Sequence, residues 1–235
     1  MLKIGCAVLG ALTLLVASGI SASVASATGG PFWHAAGTKL FLNEARQIKL
    51  QSKGALVFKA QAGLEIECRN SISEGGVLEG STTSQGQAKG RLLFSSCTVP
   101  IPAGAKCIVG GTAQIKTNPL KSYLAKAGQT NIVEVFEPGQ GMVIAVVQLA
   151  NGSGGTCPFK EVGIDGSTVA EVIPAEKEEQ ENLISFPSTA ILKVVHEGTE
   201  VSLAPLKIIG FTAVFTGAYA ARLANFPEKF GAFET

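Results

Sequence analysis

Few residues in this chain are suited to chemistry: two histidines, His34 and His196, a single aspartate, Asp165, scattered glutamates and five cysteines. A serine hydrolase needs a nucleophile on a sharp turn with histidine and acid partners. No Gly-x-Ser-x-Gly frame occurs, and Asn151-Gly152-Ser153-Gly154-Gly155 reads as a flexible loop. Glycoside hydrolysis needs two carboxylates about 5–10 Å apart across a cleft. Glu65 and Glu67 alternate with apolar neighbours and are expected to face solvent, whereas Glu134 and Glu171, inside expected strands, are the better carboxylate candidates. Zinc is disfavoured because no Cys-x-x-Cys occurs and the histidines lie far apart; a lone aspartate disfavours a calcium loop. Walker, dinucleotide-binding and His-Glu-x-x-His motifs are absent. His34 is expected to cap a turn beside Trp33, whose indole anchors the terminus, and His196 to end a strand before a Glu197-Gly198 hairpin. The residues therefore assign no catalytic, cofactor-binding or metal site, and no cofactor is expected.

The chain begins Met1-Leu2-Lys3, continues uncharged from Ile4 to Val24, and reaches Ala25-Ser26-Ala27. A basic start, an apolar stretch and small residues at both positions read by signal peptidase predict an export signal over 1–27. Removing 27 of 235 residues leaves 208, takes Cys6 away, and lowers the 19 basic side chains by Lys3 to 18, equal to the 18 acidic ones. A neutral surface argues against nucleic acid, which needs a basic face for phosphates, and against polybasic attachment to a membrane. No membrane anchor is expected after cleavage. The remaining Cys68, Cys97, Cys107 and Cys157 are an even number in an exported chain, which reads as two disulfides with three possible connectivities. Cys97 and Cys107 bracket a turn-rich loop that one bond would close, which leaves Cys68 to pair with Cys157.

Hydrophobic residues make up 46% of the chain, too many for a disordered segment, and their period is two. Gln47 to Leu50, Leu56 to Phe58, Leu64 to Cys68 and Phe211 to Thr216 read as strands, and Met142 to Val147 as a strand covered on both faces. Glu197-Gly198 and Asp165-Gly166 read as hairpin turns, and Ala175 to Asn182, with four glutamates, as a solvated loop. Only Pro119 to Ala127, opened by proline and ended by Gly128, suits a short helix. The expected fold class is all-β, a sandwich or barrel with at most one short helix.

Some segments recur at a spacing of 86. Glu79-Gly80-Ser81-Thr82 returns as Asp165-Gly166-Ser167-Thr168, and Pro119-Leu120-Lys121 as Pro205-Leu206-Lys207. Shared order and spacing predict two tandem related β-units, 37–122 and 123–225, after an N-terminal segment 28–36 and before a C-terminal tail 226–235. Leu64-x-Ile66-x-Cys68, Glu79-Gly80-Ser81-Thr82, Gly90 to Thr98, Lys116 to Lys121 and Gly154-Gly155-Thr156-Cys157 together resemble a group of secreted, disulfide-containing, β-rich proteins of high-GC Gram-positive bacteria. The similarity spans about residues 45–175. That group has no assigned activity, so the resemblance implies export and a disulfide-bonded β fold, and transfers no site residue.

The functional expectation is a secreted, non-catalytic structural or binding module, extracellular or associated with the cell surface, whose partner is an envelope or extracellular polymer. The alternative is a secreted, glycan-active hydrolase using carboxylates. Intact-mass measurement of the exported protein should place its N-terminus at Thr28; a full-length chain still carrying Met1 would contradict the signal assignment.

Overall fold

The computed structural model describes residues 29–81, 85–101 and 106–234, so the expected export signal lies outside the described residues. They form nineteen strands and no helix. In chain order the strands are β1 (Phe32–Ala35), β2 (Thr38–Lys39), β3 (Ala45–Ser52), β4 (Leu56–Ala60), β5 (Glu65–Glu79), β6 (Gln87–Ile101) and β7 (Cys107–Val109). Then come β8 (Ile115–Lys116), β9 (Leu120–Ala127), β10 (Asn131–Pro138), β11 (Val143–Asn151), β12 (Glu161–Asp165) and β13 (Thr168–Ile173). The last six are β14 (Asn182–Phe186), β15 (Lys193–His196), β16 (Thr199–Ser202), β17 (Lys207–Ile208), β18 (Phe211–Leu223) and β19 (Phe230–Phe233).

Antiparallel pairing closes on itself twice. One ring runs β3-β5-β6-β9-β10-β13-β14-β18 and returns to β3. The other runs β4-β5-β6-β7-β11-β12-β17-β18 and returns to β4. Closure removes the exposed sheet edges that an open β fold must protect. The long strands β5, β6 and β18 belong to both rings and join them end to end. Between the rings lies an aromatic cluster centred on Phe215, whose ring is 4.4 Å from Phe58, 4.6 Å from Phe186 and 5.9 Å from Phe94. Beyond the first ring, β19, β1 and β2 form a small sheet in which Phe32 to Ala35 pair with Phe233 to Phe230. Trp33 and Phe230 are buried beneath it, as the anchoring role of the indole required. The expected N-terminal segment and C-terminal tail are thus neighbours in one sheet. The β15–β16 hairpin covers the outer face of β9, β10 and β13, where Val194 and Leu203 pack on Ala125, Val133, Val135 and Val169.

Period-two patterning accounts for the strands it identified. Leu64, Ile66 and Cys68 are buried, while Glu65 and Glu67 between them lie on the other face, half-buried. The two-residue turn Glu197-Gly198 joins β15 to β16, with φ of 50° and 73°, as expected for a type I′ hairpin. Four expectations are corrected. The segment 119–127 is not a helix but holds strand β9, where Leu120, Ser122 and Leu124 alternate into the core and two neighbouring strands supply the backbone partners. Asp165-Gly166 is not a hairpin, because β12 and β13 pair with different neighbours; the turn passes the chain from one ring to the other. A Cβ on Gly166 would fall 2.2 Å from the Pro205 carbonyl oxygen, so the residue is held to glycine by close backbone approach. The strand β11 is covered on one face only, with Met142 just before it and Val146 exposed. The expected division near 122/123 falls inside β9, and the main core draws residues from both sides of it, the arrangement of two units that share one core.

The fourth correction concerns the disulfides, which join Cys68 to Cys97 and Cys107 to Cys157. Cys68 and Cys97 are direct cross-strand partners on β5 and β6, with Cα atoms 4.0 Å apart. Loop length alone favoured Cys97 with Cys107. However, β6 and β7 pair at Thr98 and Ile108, which sets Cys107 two residues along the strand from the position opposite Cys97. Both bonds form across neighbouring segments of the second ring, and each is worth about 3–4 kcal/mol by loop-closure entropy. Peptide mapping without reduction should recover Cys68–Cys97 and Cys107–Cys157; a Cys97–Cys107 peptide would contradict the β6–β7 register.

Candidate functional site

Glu134 and Glu171, the better carboxylate candidates, are placed by β10 and β13. Glu134 pairs with Ala170, and Val133 pairs with Glu171, so cross-strand register puts the two carboxylates on opposite faces of the sheet. Glu134 points into the first ring and Glu171 out of it. They do not flank a common cleft, and the two-carboxylate geometry of a glycosidase is not formed between them. His34 stacks between Phe32 and Phe233 and its Nδ1 lies 3.6 Å from Glu178, so it joins the terminal sheet to the loop after β13 rather than capping a turn. His196 lies against Tyr123, with ring centroids 4.3 Å apart. Among the described residues, no three His, Cys, Asp or Glu side chains gather at metal-binding distance.

Inside the first ring, Glu134 is buried and accepts a hydrogen bond of 2.5 Å from the Ser122 hydroxyl. Apolar side chains, among them Ile48, Leu78, Leu92, Leu120 and Phe136, line the remaining space, whose volume is about 40 Å³. That is room for water and little more. Burial pushes the Glu134 carboxyl up to about 7, and the Ser122 hydrogen bond opposes the shift. Burial thus favours the protonated form of Glu134, beside a space too small for a ligand.

The larger concavity lies on the outside, where β18 meets β3. Outward positions on β3 and just after it are Gln47, Lys49, Gln51 and Lys53, alternating amide and ammonium about 7 Å apart. Facing them on β18 and just after it are Ala218, Ala220, Arg222 and Ala224. Three alanines in that row leave a trough between long side chains. Its volume is about 360 Å³ along Lys49, Gln51, Lys53, Arg222 and Phe226. Through Leu223 and Ala224 it meets a second hollow of about 390 Å³ beside Arg46, Gln47, Asn225 and Glu228. Both volumes lie in the range of ligand sites. Phe226, in the turn after β18, is 61% exposed, an uncommon position for a phenylalanine, with the Arg222 guanidinium 6.0 Å from its ring centre.

Charge in this groove is only partly balanced. Lys53 pairs with Glu181 at 2.8 Å, and Arg222 binds the same carboxylate through Nε at 2.6 Å. Hydrogen bonds from Lys53, then from Arg222, hold Glu181 below the usual carboxylate range. Arg46 meets Glu228 at 3.4 Å. Lys49 has no ion pair among the described residues, and its direct cross-strand partner is another cation, Arg222. The sequence reading missed this groove. The alternation of Gln47 to Leu50 carried half of the signal, but the alanine row lies about 170 positions away, and nothing local brings the two together.

No protein-family model matches the chain, and no curated protein or solved structure matches it significantly.

The buried carboxyl gives a testable signature. Glu134 has a folded-state pKa near 7, above its ordinary value of 4.5, so the fold favours the protonated form. Its contribution is fully present below pH 4.5 and is lost as pH rises through 7, a change of roughly 3 kcal/mol. Glu134→Gln keeps a hydrogen-bonding partner for Ser122 without a charge. The difference in urea stability between wild type and variant should therefore shift by that amount in favour of the variant between pH 4.5 and pH 8. A difference independent of pH would show that Glu134 is not buried in its acid form.

Proposed function

We propose that the chain is an exported, non-catalytic binding module that holds an envelope or extracellular polymer in the groove between β3 and β18. The observation that carries this reading is the groove itself. It combines a length suited to a chain-like ligand, alternating amide and cationic side chains, and an exposed aromatic ring at one end. Two disulfides within one chain are typical of proteins that work outside the reducing cytosol. Export is further supported by the signal-like residues 1–27 and by the resemblance of residues 45–175 to secreted bacterial proteins. The opposite orientation of Glu134 and Glu171 weighs against the carboxylate hydrolase.

We also read the barrel as a duplicated unit. β3 and β10 span 45–52 and 131–138, the same window displaced by 86. The first ring runs β3-β5-β6-β9 and then β10-β13-β14-β18, four strands from before residue 128 followed by four from after it. The groove lies where the last strand of the second unit meets the first strand of the first.

Co-sedimentation of the mature protein with purified envelope and extracellular polymers tests this function. Wild type and Glu134→Gln should be retained equally on at least one polymer, and Phe226→Ala should weaken retention about tenfold, near 1.4 kcal/mol. Failure to retain the wild type on any polymer, or retention indifferent to Phe226, would remove the groove as the site.

A further inference from the structure

Resting on the polymer-binding reading, the charge pattern of the groove narrows the class of ligand: we propose that it takes an acidic polysaccharide, with a carboxylate or comparable anion seated between Lys49 and Arg222 and a sugar ring on Phe226. Like charges directly opposite each other on neighbouring strands destabilise a sheet. Lys49 and Arg222 are such a pair, and Glu181, the acid that binds Arg222, is shared with Lys53 and leaves Lys49 unmatched. An anion lying over the β3–β18 seam would relieve that repulsion and find two donors of different shape, an ammonium and a guanidinium. On either side of Lys49, Gln47 and Gln51 offer donors and acceptors suited to hydroxyl groups, and Asn225 adds another at the far hollow. The floor of Ala220 and Ala224 admits a ring without steric conflict, and Phe226 presents an apolar face against which one can stack.

The same features favour a glycan over other polyanions. Single-stranded nucleic acid is held by a basic track with aromatic platforms for successive bases. This groove has one exposed aromatic ring, and two of its four cations share one carboxylate while a third meets Glu228. The alternation of amides with cations suits a chain whose anionic groups are separated by neutral hydroxylated ones.

The test is binding of the mature, disulfide-intact protein to four immobilised probes: polygalacturonate, dextran, polyglutamate and an oligothymidylate. Polygalacturonate should bind most tightly, with affinity that falls as salt is added. Lys49→Glu and Phe226→Ala should each weaken it about tenfold without lowering thermal stability, since Lys49 has no ion pair to lose, its replacement removes the repulsion from Arg222, and Phe226 is exposed. Dextran bound as tightly as polygalacturonate would overturn the acidic class and leave polymer binding intact. Tighter binding of polyglutamate or oligothymidylate would overturn the sugar class. Retention of envelope polymers with none of the four probes bound would overturn this inference alone, and loss of both would remove the polymer-binding reading as well.

Discussion

Strand β18 is the member on which the rest of the structure depends. It pairs with β14 and β3 to close the first ring and with β17 and β4 to close the second. One strand can do this because its inner face carries Phe215 between the rings and Tyr219 further along. The Tyr219 hydroxyl donates a hydrogen bond to buried Ser71 on β5, while Phe215 packs on rings from β4, β6 and β14. Packing from three other strands onto this one side chain couples both closures to the same cluster. A closed ring has no free edge, so the neutral, charge-poor surface read from the sequence is compatible with a chain this rich in strand.

Closure also separates the inside from the outside chemically. The interior is filled by aromatic and aliphatic side chains, and the space beside Glu134 is too small for more than water. Burial among these side chains disfavours the charged form of the carboxyl and raises its pKa to about 7. The proposed binding is accordingly placed on the outer face. The same strand that closes the rings exposes its alanine row there, beside the polar row of β3. The feature that makes the barrel therefore also makes the groove.

Much of the fold was legible because period two is a local signal. The all-β class, the strands around Ile48, Phe58 and Ile66, the Glu197-Gly198 hairpin and the buried Trp33 all follow from neighbouring residues. Errors arose where long-range pairing decides. Pro119 to Gly128 carries helix start and stop signals, yet β6 and β10 offer its backbone a place between two partners, and tertiary context overrides propensity. Cys97 and Cys107 are close in sequence, but the pairing of β5 with β6 brings Cys68 opposite Cys97 first. Of the glycines in the two Gly-Ser-Thr words, Gly166 reads as a turn former and Gly80 only as part of the repeated word. Each in fact faces a backbone that a Cβ would strike, Phe41 at Gly80 and Pro205 at Gly166, a constraint visible only once the chain is folded. Glu134 was singled out as a candidate for chemistry from its residue type; the register to Ala170 gives it an interior role instead. The groove needed the register of β3 with β18 and could not be read from either strand alone.

Because binding is assigned to one outer seam, the most direct measurement is backbone and side-chain amide chemical-shift mapping of the mature protein during titration with a bound polymer. Shifts concentrated at Gln47, Lys49, Gln51, Lys53, Arg222 and the residues around Phe226, with the interior near Ser122 and Glu134 unmoved, are the predicted result. Shifts centred on the interior, on the β15–β16 hairpin or on the terminal sheet, with the β3–β18 seam silent, would contradict it.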